Sequence, residues 1–232
     1  MATKGLTVAV RASLAFLTIG RVAACDLGKL VSWNDGVNVL VDGSFEDGTT
    51  PDGPFKPTGQ GYMSVKPGAT TIPGWVVTGA ARQDVAWVRD SNDFVPNGAT
   101  DGHHFLDLTG IGDSTLSNGN FAGIAQTFAT AAGKPYVLTF DIEVYRPNFP
   151  GPIAVHVSVS TAFNDPAFAQ MSCPLDSQTD GRVTTRCSLN FQSRAASTTI
   201  RIFGETGKHY IGLDNVSVQC FAPLGRRGYC SS

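Results

Sequence analysis

Charge, basic clusters and long apolar runs are all scarce in this chain of 232 residues. Charged residues make up 16%, against roughly 25% in ordinary soluble domains, and the formal net charge is −2. The basic doublet Arg226-Arg227 near the C-terminus is too small to attract a phosphate backbone. No apolar run reaches the about 20 residues that cross a bilayer. We therefore expect no nucleic-acid partner and no transmembrane segment.

Signatures of the common enzyme classes are also missing. GxSxG, HExxH, P-loop and dinucleotide-binding motifs do not occur. A glycosidase needs two carboxylates about 5–10 Å apart across a cleft. Strand alternation places Asp141 and Glu143 on a solvent-side face, where charged side chains are ordinary. We therefore predict that the protein is not an enzyme; a weak glycan hydrolase would use acids from the set Asp107, Asp141, Glu143 and Glu205.

Glycine and proline are abundant, with 26 and 13 residues, and leave little room for long helices. Between the turn clusters, apolar and polar residues alternate with the period of two that is typical of half-buried strands. Short strands separated by turns over residues 36–221 predict a single all-β domain, a jelly-roll β-sandwich. The predicted strands are Val37–Val41, Asp84–Val88, His104–Thr109, Ile124–Ala129, Pro135–Tyr145, Ile153–Ser160, Val183–Phe191, Thr198–Phe203 and His209–Cys220.

The last predicted strand changes phase partway along its length. Its apolar residues occupy odd positions up to Leu213 and even positions from Val216. Since alternation cannot switch phase without an extra residue, we predict a β-bulge near Asp214 and Asn215. A carboxylate among apolar residues is costly unless it is paired, so Asp214 should meet hydrogen-bond donors or a cation.

Residues 1–24 have the features of a secretory signal peptide. Lys4 and Arg11 supply positive charge, residues 12–20 form an apolar stretch, and small residues precede Cys25 at a cleavage site. We therefore expect a secreted, extracellular or cell-surface protein with a C-terminal tail at 222–232. Two alternatives stay open: an N-terminal tail that is retained, and a lipobox that lipidates Cys25.

The remaining four cysteines can form two disulfides, as export would allow. We favour Cys173–Cys187 and Cys220–Cys230 because each closes a short loop, although four cysteines allow three connectivities. A zinc site is the competing interpretation, but the chain has no CxxC pair and its histidines are badly spaced for zinc.

Candidate sugar-binding residues are aromatic or polar side chains in outward or loop positions. Sugar-binding sites stack rings on aromatic faces and bind hydroxyls with neighbouring polar groups. Trp75 is expected in the core, and core packing is also the competing interpretation of Trp87. The predicted carbohydrate-binding residues are Trp87, Asn92, His103, Tyr145 and His156.

Seven sequence blocks in order carry a family resemblance. They are LVDGSFEDG at 40–48, TIPGWVVTG at 71–79, DVAWV at 84–88, DGHHFLDLTG at 101–110, GIAQTFAT at 123–130, residues 133–142, and YIGLDNVSV at 210–218. Together they resemble the DUF642-type domain, also seen in bacterial "choice-of-anchor" exported proteins. The resemblance covers residues 38–219 and implies a galactose-binding-domain-like jelly roll. It implies an extracellular or cell-wall module that binds polysaccharide or cell-wall proteins without catalysis.

The resemblance also implies a structural calcium ion. Similar jelly rolls often hold calcium between an N-terminal "FE" acid and an acid of the last strand, here Glu46 and Asp214. Hard oxygen ligands suit calcium, and backbone carbonyls near Gly48 or His103 would complete the shell. The alternative is that the two acids belong to a separate turn and bulge. For function, the alternative to sugar binding is a structural or protein-interaction component of the cell wall or extracellular matrix.

Overall fold

A computed structural model of the chain describes residues 36–80, 83–91, 98–110, 122–145, 153–175, 182–204 and 210–221. All of these residues belong to one unit of the chain, Trp33–Ser232. The predicted signal peptide at 1–24 and the predicted tail at 222–232 lie outside the described residues.

The described residues form eleven β-strands and no helix. The strands are β1 (Tyr62–Val65), β2 (Val76–Thr78), β3 (Val85–Arg89), β4 (His104–Asp107), β5 (Gly123–Ala129), β6 (Pro135–Tyr145), β7 (Ile153–Ser160), β8 (Ala169–Leu175), β9 (Arg182–Gln192), β10 (Ser197–Gly204) and β11 (Tyr210–Cys220). Within the described part of the chain, no helix is long and apolar enough to cross a membrane.

Two antiparallel sheets pack around one apolar core. The six-stranded sheet has the order β1-β3-β4-β11-β6-β9, and the five-stranded sheet has the order β2-β5-β10-β7-β8. Strands of both sheets supply the core, which contains Trp87, Leu138 and Phe140 from the first and Ile124 and Ile202 from the second, all fully buried. The predicted fold class, an all-β jelly-roll sandwich, is confirmed.

Most predicted strands coincide with observed strands to within two residues at each end, but Val37–Val41 is not a strand. The Asn38 side chain holds this segment, because its amide donates to Val216 O and its oxygen accepts the N–H groups of Leu40 and Val218. These side-chain bonds satisfy backbone N–H and C=O groups that strand-to-strand hydrogen bonds would otherwise satisfy. The apolar side chain of Val37 is 80% exposed. Alternation did not predict the short strands β1 and β2, or the edge strand β8, which contains Pro174.

The predicted bulge in β11 is confirmed. Pairing with β6 shifts register between Asp214 and Ser217, and Asn215 has φ of +51°, in the left-handed region. Gly43 packs closely against the bulge, and a Cβ there would lie 2.0 Å from Val216 O. The bulge therefore depends on a glycine from a segment far away in sequence.

The predicted disulfide Cys173–Cys187 is present. It connects β8 with β9, which are edge strands of different sheets. Cys220 is also disulfide-bonded, while Cys230 lies outside the described residues. The Cys173–Cys187 bond therefore joins the two sheets at one side of the sandwich.

Candidate functional site

Glu46 anchors the start of β4. Its Oε1 accepts hydrogen bonds from the backbone N–H groups of His103 and His104, both at 2.5 Å. Its Oε2 lies 2.8 Å from His104 Nδ1. The preceding residue, Phe45, is fully buried and has φ of +59°. Core burial of Phe45 thus orients the Glu46 carboxylate toward the 98–103 loop.

Asp214 binds the same loop from the bulge of β11. Its Oδ2 accepts the N–H groups of Thr100, at 2.6 Å, and Asp101, at 2.8 Å. Its Oδ1 accepts the N–H of Asn215 at 2.6 Å. Burial raises the pKa of Asp214 to about 7, against the opposing effect of these donors. Asp214 therefore meets hydrogen-bond donors, one of the two environments expected from the sequence.

Asp141 lies directly opposite Asp214 in the β6–β11 pairing. Thr100 Oγ1 lies 3.1 Å from Asp141 Oδ2 and 3.2 Å from Asp214 Oδ2, so one hydroxyl contacts both carboxylates. Asn215 Nδ2 donates to Asp141 Oδ2 at 2.9 Å, and Arg186 forms an ion pair with Asp141 at 3.4 Å. We call Asp141, Asp214 and Thr100 the acid cluster. It fixes the 98–103 loop to the outer face of the six-stranded sheet.

The prediction that Asp141 and Glu143 lie on a solvent-exposed face is wrong. Both acids project from the outer face of β6, but Asp141 is 7% and Glu143 2% exposed. The 98–103 loop covers part of this face, and a Cβ at Gly98 would lie 2.4 Å from Phe105 Cζ. Strand alternation identified the correct face, but it could not show that a loop distant in sequence covers it.

The contacts of Glu46 and Asp214 do not fit the expected calcium site. Calcium in proteins is surrounded by six to eight oxygen ligands, whereas these carboxylates face N–H donors of the 98–103 loop. No group of three His, Cys, Asp or Glu side chains that could hold a metal occurs in the described ranges. Calcium binding stays a prediction, and no step of the proposed function depends on it.

The outer face of the five-stranded sheet carries a different arrangement. Phe203 of β10 lies opposite His156 of β7, which lies opposite Ser172 of β8. Two residues before Phe203, Arg201 lies opposite Ser158 of β7, which lies opposite Gln170 of β8. Because outward residues alternate along each strand, these side chains form two parallel rows across three strands.

Arg201 lies between two aromatic rings on this face. Its guanidinium carbon is 5.5 Å from the centroid of Phe163, in the turn after β7, and 5.9 Å from that of Phe203. His156 stacks on Phe203 with centroids 5.3 Å apart and an interplanar angle of 29°, and its Nδ1 lies 2.8 Å from Ser172 Oγ. Phe163 is 41% exposed. We call His156, Phe163, Arg201 and Phe203 the platform.

The assignment of Trp87 to sugar binding is wrong. Trp87 is fully buried, and its indole N–H donates to Phe45 O at 3.0 Å. Its ring packs edge-on against Phe55 with centroids 5.1 Å apart. A side chain without exposed surface offers no face to a sugar ring. Trp75 is also in the core, 1% exposed, as expected.

Of the other predicted sugar-binding residues, His103 and His156 have described side chains, and they lie on different sheets or the loops attached to them. His103 is exposed in the 98–103 loop, and its Nδ1 lies 3.0 Å from Asp90 Oδ2, an interaction that raises the pKa of His103. His156 is in the platform, on the opposite sheet. Tyr145 ends β6, but its side chain lies outside the described residues, as does Asn92. The described residues therefore do not bring His103 and His156 together in one site.

Three members of the platform, Phe163, Arg201 and Phe203, were not predicted from the sequence. Arg201 and Phe203 could have been identified from strand alternation, since they occupy outward positions of a strand that was predicted nearly correctly. No sequence pattern indicates Phe163, because it contacts Arg201 from the turn after β7. An aromatic residue in a turn cannot be placed from alternation alone.

Comparison with known proteins gives one family match and several distant structural similarities. The family model described as "Protein of unknown function (DUF642)" matches residues 38–218. No curated protein matches the chain.

Three solved structures illustrate the structural similarity. The enzymatically active domain of bacteriophage CBA120 tailspike protein 4 is 14% identical with a TM-score of 0.46, and the match covers 80% of this chain but 22% of the tailspike chain. TmCBM61, in complex with β-1,4-galactotriose, is 15% identical with a TM-score of 0.44, covering 79% of this chain and 99% of that one. The CBM22-1 xylan-binding domain from Paenibacillus barcinonensis is 13% identical with a TM-score of 0.44, covering 80% and 96%.

Proposed function

The chain belongs to the DUF642 family of proteins of unknown function, and we propose that it is a secreted, non-catalytic module that binds a cell-wall or extracellular polysaccharide. The observation that carries this proposal is the platform on the outer face of the five-stranded sheet. It combines exposed aromatic surface at Phe163 with the polar side chain of His156, and Ser158 and Ser172 lie beside it on the same face. Sugars present both an apolar ring face and hydroxyls, so a binding surface needs both kinds of group.

The acid cluster supports a non-catalytic role. A glycosidase needs two carboxylates that reach substrate across an open cleft. Asp141 and Asp214 instead accept hydrogen bonds from protein groups under the 98–103 loop, and Asp214 is 1% exposed. Their contacts are those of carboxylates that fix a loop.

The disulfide between β8 and β9 supports an extracellular location. Disulfides persist in oxidising compartments and are rare in the cytosol. The proposed route is export directed by residues 1–24, followed by binding to polysaccharide outside the cell.

The test is binding of the exported, purified protein to a panel of insoluble polysaccharides and soluble glycans, with and without calcium. We expect saturable binding that calcium does not change. Phe163→Ala and Phe203→Ala should each weaken it at least tenfold, equivalent to about 1.4 kcal/mol. Thr184→Ala, on the exposed surface of β9, is the matched control and should bind like the wild type.

Phe163 is the more decisive of the two aromatic positions, since it lies in a turn and its removal leaves the core intact. Melting curves establish that each variant is folded. Absence of binding across the panel would overturn the proposal and favour a protein partner, to be sought by pull-down from a cell-wall extract.

A further inference from the structure

The two sheets differ in the charge of their strands. None of the five strands of the five-stranded sheet contains an Asp or Glu. The six-stranded sheet carries Asp107, Asp141, Glu143 and Asp214. The platform therefore lies on a face whose strands offer no carboxylate to Arg201.

Among the residues that the structure describes, no carboxylate forms an ion pair with Arg201. Its Nε is buried, and no hydrogen-bond acceptor contacts it among the described residues. The turn that carries Phe163 also contains Asp165, whose carboxylate accepts a hydrogen bond from the Thr161 hydroxyl. A guanidinium has five N–H donors and no acceptor, and a buried N–H without an acceptor is costly.

The aromatic rings hold the guanidinium in place. Arginine stacks on aromatic faces and presents a planar fork that matches a carboxylate in two parallel hydrogen bonds. Contacts with both Phe163 and Phe203 restrict Arg201 before any ligand arrives. A pre-oriented side chain loses less freedom on binding.

On β10, the charged Arg201 and the aromatic Phe203 lie close enough to contact the same sugar unit. Arg201 and Phe203 are successive outward residues, so their Cα atoms are roughly 7 Å apart. A sugar unit over the aromatic surface therefore brings a substituent on its ring within reach of the guanidinium. His156 and Ser172 extend the polar surface beyond Phe203.

We propose that the platform recognises an acidic polysaccharide whose sugar units carry carboxylate groups, with Arg201 binding the carboxylate. This inference rests on the proposed function and adds the class of ligand. The net charge of −2 is small, and the four acids of the six-stranded sheet lie on the other side of the sandwich from the platform.

The test compares polygalacturonate with its fully methyl-esterified form by isothermal titration calorimetry near pH 7. The two share a backbone and differ in the charge of the carboxyl group. We expect the acid form to bind at least tenfold more tightly, and only its binding to weaken as salt is raised. Arg201→Gln should abolish the difference between the two forms and retain the weaker binding of the ester.

Arg194→Gln is the matched control. Arg194 is exposed and also lies over an aromatic ring, 4.9 Å from the centroid of Phe168, but outside the platform. The Arg194→Gln variant should bind both forms of the polysaccharide like the wild type. If Arg201→Gln fails to fold, Arg201→Lys keeps the charge but loses the fork, and should bind the acid form several-fold more weakly.

Equal binding of acid and ester by the wild type would overturn this inference and leave the proposed function standing. An equal loss in Arg194→Gln would also overturn it, since general positive charge would then suffice. Equal or tighter binding of a sulfated glycan would overturn the carboxylate assignment. Failure of every polysaccharide to bind would overturn the proposed function itself.

Discussion

Asp107 shows how burial sets the protonation of a single side chain. It projects from β4 and is 2% exposed, and its Oδ1 accepts hydrogen bonds from Thr109 N at 2.9 Å and Thr109 Oγ1 at 2.7 Å. Burial raises the pKa of Asp107 from 3.8 to about 7, since these donors only partly offset the loss of solvation. Burial likewise raises the pKa of Asp42 and of Asp214 to about 7.

These acids predict that the fold loses stability as pH rises from about 4 to 7. Below that window Asp107 is neutral in both states, whereas within it only the unfolded state loses its proton. Each such group then lowers the free energy of unfolding by roughly 1.4 kcal/mol per pH unit. Asp107→Asn keeps an acceptor for Thr109 and stays neutral, so its stability should fall less steeply, as measured by urea unfolding from pH 4 to 8.

Asp101→Asn is the control for this measurement, because Asp101 is an exposed acid of the 98–103 loop. It should keep the wild-type slope. Identical slopes for wild type and Asp107→Asn would contradict a protonated Asp107 in the folded protein.

At the level of elements, the sheets depend on the disulfide that connects their edges. Cys173 and Cys187 are separated by 14 residues and are both buried. Closing a loop of about 15 residues stabilises a fold by roughly 3 kcal/mol. The double variant Cys173→Ala with Cys187→Ala should lose about that much in urea unfolding under non-reducing conditions.

Using the double variant rather than a reducing agent leaves the disulfide of Cys220 intact. Adding reductant to the wild type should destabilise it at least as much. A double variant with the wild-type midpoint would mean that this bond contributes nothing to stability.

Prediction from the sequence succeeded where local pattern decides the element. In Pro135–Tyr145 alternation gave the exact strand, and the phase change in β11 gave the bulge at Asp214. It failed at Val37–Val41, where the Asn38 side chain replaces the ladder. Loops that cover a face and registers that align separate strands are set by long-range contacts, which alternation does not encode.

The absence of long-range contacts from local sequence pattern also explains why the candidate site was predicted only in part. His156 was correctly placed in an outward position, but its neighbours in the platform depend on the pairing of β7 with β10 and on the turn that carries Phe163. Trp87 was assigned by residue type, and the core takes large aromatic side chains as readily as a binding face does. Residue type and strand phase therefore gave candidates, and only the fold shows which of them meet.

Across the whole molecule, the sandwich has two unlike outer faces. On the six-stranded sheet, Asp141 and Asp214 bind the 98–103 loop and hold it in place. The five-stranded sheet presents aromatic rings and an arginine without a carboxylate partner among the described residues. This asymmetry supports the proposal that the five-stranded face binds polysaccharide and that Asp141 and Asp214 on the other sheet have a structural role.

The most direct test of this assignment is an NMR titration of the isotopically labelled protein with an oligosaccharide from the polysaccharide that binds best. We expect the largest amide shift changes at Ser158, Arg201 and Phe203, with Thr184 and Gly212 of the six-stranded sheet unmoved. Changes confined to the six-stranded sheet or to the 98–103 loop would contradict the platform as the binding site.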